Sequence, residues 1–171
     1  MTEHEGAVTF QGNPLTLVGA LPEVGQTVPD VTLVGNDLEA VTVSALGGGP
    51  LIVASVPSLD TPVCSTETRR FNEEAAGLGG SVQVLTVSMD LPFAQKRWCG
   101  AEGIEHVITA SDHRDAAFGQ GWGVLIKGLR LLARAVFVVD PGGVLRYKQL
   151  VPEITDEPDY ELVLAAACDL T

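Results

Sequence analysis

The stretch Leu51-Ile52-Val53-Ala54-Ser55-Val56-Pro57-Ser58-Leu59-Asp60-Thr61-Pro62-Val63-Cys64 decides the fold. Its first part, residues 51–56, is a continuous apolar run without alternation of polar and apolar side chains. Such a run predicts a strand that is covered on both faces. Pro57 ends the run, because proline has no N–H to donate to a neighbouring strand. The stretch therefore predicts a buried strand followed by a loop.

A helix is predicted directly after this loop. Thr61 is a favoured N-cap residue, and Pro62 suits the first helical position, where its missing N–H does no harm. We expect the helix to run from about Val63 to Ala76. Cys64 is then the third helical residue, where unpaired N–H groups and the positive end of the helix dipole favour a thiolate. On these local features alone, Cys64 is either reactive or a small buried apolar residue.

The elements around this stretch are short and alternate between strand and helix patterns. We predict an N-terminal hairpin (7–10 and 15–18), strands near 31–34, 41–43, 82–88 and 107–109, a helix over 92–99 closed by Gly100, a Gly-rich segment at 118–122, a hairpin of 133–139 and 144–150, and a helix over 159–168. Strand–helix–strand units with a terminal hairpin predict an α/β fold. We expect a thioredoxin-like three-layer α/β/α sandwich with an N-terminal β-hairpin, and one domain over residues 1–171.

The charge of the chain excludes some classes of partner. With 10 basic and 22 acidic residues, the formal net charge is −12, which argues against binding to nucleic acid or to a membrane surface. No apolar run reaches the ~18 residues of a membrane span, and no targeting segment is visible, so we expect a cytoplasmic protein. All Lys and Arg lie between Arg69 and Lys148. Either the acidic ends simply solubilise the protein, or the scarce cations are kept where an anion is held.

The cysteines and one arginine are the candidate chemical groups. The 3 cysteines, at positions 64, 99 and 168, form no disulfide framework and no C-x-x-C motif, so in a reducing compartment they are structural or they cycle. Cys168 matches no catalytic motif, and we predict that it packs in the last helix. Arg134 lies inside the apolar run 131–139, where a guanidinium is costly unless it is paired or functional. The histidines have no metal-ligand spacing, and we expect neither a metal nor a cofactor.

Pro57, Thr61 and Cys64 together spell P-x-x-x-T-x-x-C, which resembles the active-site signature of the peroxiredoxins. With Arg69-Arg70-Phe71-Asn72 it looks like the thiol peroxidase branch, an atypical two-cysteine type. Three further segments resemble that branch in the right order: 9–14, 97–103 and 133–140. One segment, 123–132, is about three residues shorter than the family pattern. That departure puts in doubt the shape of the substrate mouth and any dimer contact made there.

The resemblance implies a role for each residue of the motif. Cys64 would be the peroxidatic cysteine, and Cys99 would resolve its sulfenic acid as an intramolecular disulfide. Thr61 would orient the peroxide through its hydroxyl, Pro57 would shield the sulfur, and Arg134 would stand beside the thiolate. The substrates would be hydrogen peroxide and small organic hydroperoxides, the reductant thioredoxin, and the assembly a homodimer.

The two cysteines lie on different predicted helices. A disulfide requires their Cα atoms to come within about 7 Å, so a larger separation would require local unfolding first. The short helix that carries Cys99 is suited to that, since brief helices fray. Lys96 and Arg97 either help to ionise Cys99 or are solvated basic residues at a helix end.

Two other functions would use the same residues. A peroxide-responsive thiol sensor or binding module would share Cys64 and Cys99, but it would react once rather than turn over. A cysteine hydrolase would need His106 or His113 as its base, and no local signature supports one.

Overall fold

The chain forms ten strands and four α-helices in the computed structural model, which describes residues 1–171. In chain order they are β1 (Glu3–Phe10), β2 (Asn13–Val18), β3 (Thr32–Gly35), β4 (Ala40–Thr42), β5 (Leu51–Ser55), α1 (Pro62–Gly77), β6 (Gln83–Ser88), α2 (Pro92–Glu102), β7 (Val107–Ser111), α3 (Ala117–Gly121), β8 (Leu125–Ile126), β9 (Ala135–Val139), β10 (Leu145–Leu150) and α4 (Tyr160–Cys168).

A seven-stranded mixed sheet forms the centre of the molecule, in the order β10-β9-β5-β6-β7-β3-β4. Strand β5 pairs in parallel with β6 and antiparallel with β9. All five of its residues are buried, which confirms the prediction of a strand covered on both faces. A parallel pair needs a crossover connection, and α1 supplies it between β5 and β6.

Helices cover the sheet and create two cores. On one face, Phe71 of α1 and Val163 of α4 pack with Ile52 and Val138 of the sheet. The other core contains α3 and the β1–β2 hairpin, and there Trp122 stacks on Phe118 with ring centroids 4.8 Å apart. The predicted thioredoxin-like α/β fold is confirmed. None of the four helices is long and apolar enough to cross a membrane.

A second, three-stranded sheet joins the N-terminal hairpin to the segment 123–132. Its order is β1-β2-β8, with Leu17 opposite Ile126. The sequence pattern did not indicate β8, because the strand is only two residues long. The N–H of Ile126 donates to the carbonyl of Leu131 at 2.8 Å, so the segment folds back on itself. The segment that departs from the family pattern is therefore attached to the hairpin.

One predicted helix end is wrong, and the cap of another helix differs in detail. Helix α2 continues to Glu102, and Gly100 lies inside it. The residue that ends it is Gly103, which adopts the left-handed conformation (φ 66°) that glycine tolerates best. Thr61 does occupy the N-cap position of α1, but its side chain does not cap the helix. Its hydroxyl instead donates to the carbonyl of Ser58 at 2.8 Å, the same carbonyl that accepts from the Thr61 N–H.

The burial of β5 makes a prediction about stability. Ile52 is 0% exposed, so Ile52→Ala should lower the free energy of unfolding by about 3 kcal/mol, because it removes buried methyl groups and leaves a cavity. Urea denaturation measures this loss. Ile108→Ala on β7 is the matched control, since that side chain is 37% exposed and should cost less than half as much. Equal losses in the two variants would contradict this description of the core.

Candidate active site

Cys64 lies at the start of α1, in the third helical position, as predicted. Strand β5 delivers the chain to this end of the sheet, and the loop 57–60 turns it into the helix. The side chain is 0% exposed and packs with Val56, Leu59 and Trp98. A thiolate here is shielded from water and faces the positive end of the helix dipole.

Arg134 is the charged residue that touches Cys64. Because Ala135 lies opposite Ser55 in the sheet, Arg134 enters β9 beside the loop that follows β5. Its Nη2 donates to Cys64 Sγ at 3.2 Å, and its Nε donates to the carbonyl of Ile154 at 3.0 Å. Its Nη1 forms an ion pair with Glu67. All three guanidinium nitrogens are engaged, so the cation is held in one orientation against the sulfur.

Glu67 is a site residue that sequence reasoning missed. It lies three residues after Cys64, on the same face of α1, and its side chain is 0% exposed. Its Oε1 has no hydrogen-bond partner. Burial raises the pKa of Glu67 to about 7, although the neighbouring Arg134 opposes this shift. Burial opposes the charge on Arg134, but Glu67 and Cys64 outweigh it and raise the pKa of the guanidinium. The Cys-x-x-Glu spacing is the signal that would have found it.

The loop before α1 is held by a second carboxylate. Asp90, just after β6, accepts hydrogen bonds from Ser58 Oγ at 2.7 Å and from the N–H of Leu59 at 2.8 Å. Pro57 at the start of the loop is buried, whereas Thr61 at its end is exposed. The Thr61 hydroxyl proton is committed to Ser58, so its oxygen can accept a hydrogen bond but not offer that proton.

Cys99 lies on α2 and packs against the cluster formed by Val56, Leu59, Cys64 and Trp98. Its side chain is half-buried, and its Sγ lies 3.4 Å from Thr109 Oγ1 on β7. All three cysteines are free thiols in this structure. Lys96 lines the same groove as Cys99, but Arg97 points away and pairs with Asp60 at 3.7 Å. The structure therefore does not bring Arg97 to the Cys99 sulfur.

The other candidates lie away from Cys64. Cys168 is exposed at the end of α4, so the prediction that it packs in the helix is wrong; its neighbour Ala167 is the buried residue. His113 contacts Ser111, and neither His106 nor His113 bonds to Cys64. Several other basic residues pair with exposed carboxylates instead, so the idea that the scarce cations are kept where an anion is held applies at the thiols to Arg134 and, in the groove of Cys99, to Lys96.

Comparisons with known proteins find relatives over nearly the whole chain. The Redoxin family model matches residues 23–164. A thiol peroxidase of Listeria monocytogenes is 54% identical over 94% of this chain and 96% of its own length. A thiol peroxidase of Bacillus subtilis is 53% identical over 94% of this chain and 95% of its own.

Solved structures show the same fold. A peroxiredoxin-like protein from Aquifex aeolicus superposes with a TM-score of 0.88, at 46% identity, over 98% of this chain and 99% of that one. A thiol peroxidase from Chromobacterium violaceum gives a TM-score of 0.85 at 18% identity, over 95% of each chain, which supports the fold alone.

The raised pKa of Glu67 predicts a pH dependence of stability. The folded state keeps a proton that the unfolded chain loses between pH 4.5 and about 7, so this group's contribution falls as the pH rises through that window. Between pH 4.5 and about 7, the free energy of unfolding of the wild type should fall by on the order of 3 kcal/mol relative to that of Glu67→Gln. Denaturant titrations from about pH 4 to about pH 8 measure the difference.

Glu153 provides a control of opposite sign. Hydrogen bonds from the N–H groups of Gly12 and Thr155 lower its pKa to about 2, so its contribution is lost as the pH falls below 4.5. The difference in stability between the wild type and Glu153→Gln should therefore stay constant above pH 4.5 and shrink as the pH falls from 4.5 towards about 2. If the difference in unfolding free energy between the wild type and Glu67→Gln stayed constant with pH, Glu67 would have its ordinary pKa.

Proposed function

Since the chain belongs to the Redoxin family and acts as a thiol-dependent peroxidase, we propose that Cys64 is the residue that attacks the peroxide. The thiolate sulfur bonds to one oxygen of ROOH, the O–O bond breaks, and RO⁻ leaves and takes a proton. Cys64 becomes a sulfenic acid. The observation that carries this proposal is the contact between Cys64 Sγ and the buried guanidinium of Arg134 at 3.2 Å.

Ionisation of the Cys64 thiol explains only part of the rate gain that we assign to Arg134. A thiol with an ordinary pKa of ~8.5 is already about 3% ionised at pH 7, so complete ionisation gains only ~30-fold, or about 2 kcal/mol. Nucleophilicity also falls as a thiol becomes more acidic. We assign the larger gain to stabilisation of the charge that develops along the stretched O–O bond. Arg134 and the N–H groups of the first turn of α1 are the fixed donors for it.

Thr61 and Pro57 would position and shelter the reacting atoms. Because the Thr61 hydroxyl donates to Ser58, its oxygen would accept a hydrogen bond from the O–H of the peroxide. Pro57 is buried and offers no N–H, so it would keep water away from the sulfur without competing for the substrate.

Cys99 would resolve the sulfenic acid. Cys64–SOH and Cys99–SH condense to a disulfide and release one water molecule. Cys99 would first give up its bond to Thr109, through local opening of α2. Helix α2 has no side-chain N-cap, so its first turn is held mainly by tertiary contacts. Thioredoxin would then reduce the disulfide, with hydrogen peroxide or a small organic hydroperoxide as oxidant.

The assembly and its setting are part of the same proposal. We expect residues 1–171 to act as one domain, since the hairpin outside the Redoxin match bonds to the rest: the N–H of Thr9 donates to the carbonyl of Pro152 at 2.7 Å. The family resemblance supports a homodimer, which sedimentation would measure. Three free cysteines suit the reducing cytoplasm.

One equivalent of peroxide should convert the reduced protein to a single product. Peptide mass spectrometry should find a Cys64–Cys99 disulfide within one chain, and the peroxidase should turn over many times with thioredoxin and its reductase. Cys64→Ser should consume no peroxide, and Cys99→Ser should stop at the sulfenic acid. Cys168→Ser is the matched control and should behave as wild type, because this thiol is exposed at the end of α4 and has no assigned role. A Cys64–Cys168 or intermolecular bond would refute the proposed resolving step.

A further inference from the structure

The partner of the Cys99 thiol is itself held by a third residue. Thr109 is 3% exposed on β7, and its Oγ1 donates to Asn36 Oδ1 at 3.1 Å. Asn36 directly follows β3, and the pairing of Gly35 with Ala110 brings it beside Thr109. The three side chains form a short row, Asn36, Thr109 and Cys99, that ties α2 to the edge of the sheet.

The direction of these hydrogen bonds decides what Thr109 can do for the sulfur. A hydroxyl has one proton and two lone pairs. The proton of Thr109 goes to Asn36, so only a lone pair is left for Cys99 at 3.4 Å. Cys99 must therefore be the donor in its bond to Thr109. This arrangement favours a docked, protonated thiol, which is the poor nucleophile of the two forms.

The docked thiol is bonded to Thr109 and not to Cys64, although Cys99 packs against the cluster that contains Cys64. Cys99 lines a groove of about 340 Å³ together with Asn36, Lys96 and Thr109, and Cys64 does not line it. Cys64 Sγ has Arg134 as its side-chain partner instead. The disulfide step requires Cys99 to give up its bond to Thr109, because the sulfur must lose the proton that it donates there before it attacks the sulfenic acid.

We propose that Thr109, oriented by Asn36, is a positioning residue that holds the Cys99 thiol in the docked state and so slows disulfide formation. This inference rests on the proposed resolving role of Cys99. The step that it controls is the condensation of Cys64–SOH with Cys99–SH to a disulfide and water. While Cys99 stays docked, a second peroxide can oxidise the sulfenic acid to a sulfinic acid. Thr109 thereby sets the ratio of disulfide to overoxidised enzyme.

Thr109→Val tests this role because it keeps the shape of the side chain and removes its hydroxyl. The loss of one hydrogen bond should raise the rate of disulfide formation about five-fold, and it should lower the sulfinic fraction at excess peroxide. The rate of the first reaction, at Cys64, should not change. Stopped-flow fluorescence of Trp98, which adjoins Cys99 and is 8% exposed, follows the disulfide step, and mass spectrometry counts the sulfinic acid.

Two variants separate positioning from a general loss of stability. Thr109→Ser retains the hydroxyl and should restore the wild-type rate. Thr86→Val is the matched control, because Thr86 lies opposite Thr109 on β6, is 1% exposed, and its hydroxyl has no partner. Its disulfide rate should equal that of the wild type. If Thr109→Val does not fold, Asn36→Ala, at a half-buried position, takes its place and should also accelerate the disulfide step.

The S–H stretching band in the infrared spectrum reports the hydrogen bond directly. In a Cys64→Ser/Cys168→Ser background only Cys99 contributes to it. The band should move to the frequency of an unbonded thiol when Thr109→Val is added. An unmoved band, or a disulfide rate no faster than that of Thr86→Val, would overturn the inference. The absence of any Cys64–Cys99 disulfide in the wild type would instead overturn the proposed resolving role of Cys99. The infrared band would then still show whether Cys99 donates a hydrogen bond to Thr109.

Discussion

The buried ion pair between Arg134 and Glu67 is the interaction on which the site depends. Burying two charges costs several kcal/mol per ion, and this cost is offset only where the geometry is good and other hydrogen bonds are satisfied. Arg134 meets that condition through the carbonyl of Ile154 and the sulfur of Cys64. Glu67 meets it only in part, since its Oε1 has no partner. The ion pair and these hydrogen bonds hold the guanidinium of Arg134 in place against the buried sulfur of Cys64.

The fold supplies this arrangement through its topology. Strands β5 and β9 are neighbours, so the residues that follow β5 and those that precede β9 meet at one edge of the sheet. Helix α1 then places Cys64 and Glu67 on one face, with Arg134 between them. The second thiol lies outside this constellation, on α2, with Thr109 as its polar partner. Reaction with peroxide and formation of the disulfide therefore draw on different contacts, and each can be altered separately.

Local signals in the sequence predict the elements that carry the site, but they do not predict the features that tertiary contacts determine. The apolar run 51–56 and the Thr61-Pro62 start locate β5, α1 and Cys64 correctly, because backbone chemistry determines them. The cost of burying Arg134 predicts that it is paired or functional, but not that Glu67 is its partner. Side-chain identity alone does not show which carboxylate pairs with Arg134.

Other misses have the same origin. The hydroxyl of Thr61 takes a carbonyl acceptor in its own turn instead of a helix N–H. Helix α2 passes through Gly100 because its packing against β7 outweighs the low helix propensity of glycine. The two-residue strand β8 exists only because the hairpin lies beside it. Cys168 lies one position past the buried Ala167, which turns it about 100° around the helix and away from the core.

The most direct test compares the rate constant of peroxide reduction with the fraction of thiolate, in the Glu67→Gln variant and in Glu67→Gln/Arg134→Met. The shared Glu67→Gln change avoids an unpaired buried carboxylate. If Arg134 stabilises the breaking O–O bond, adding Arg134→Met should lower the rate constant on the order of 10²–10³-fold. The thiolate fraction, followed by its ultraviolet absorbance, should fall far less. A fall in rate of no more than ~30-fold, in step with the loss of thiolate, would contradict this role and leave Arg134 as a group that only ionises the thiol.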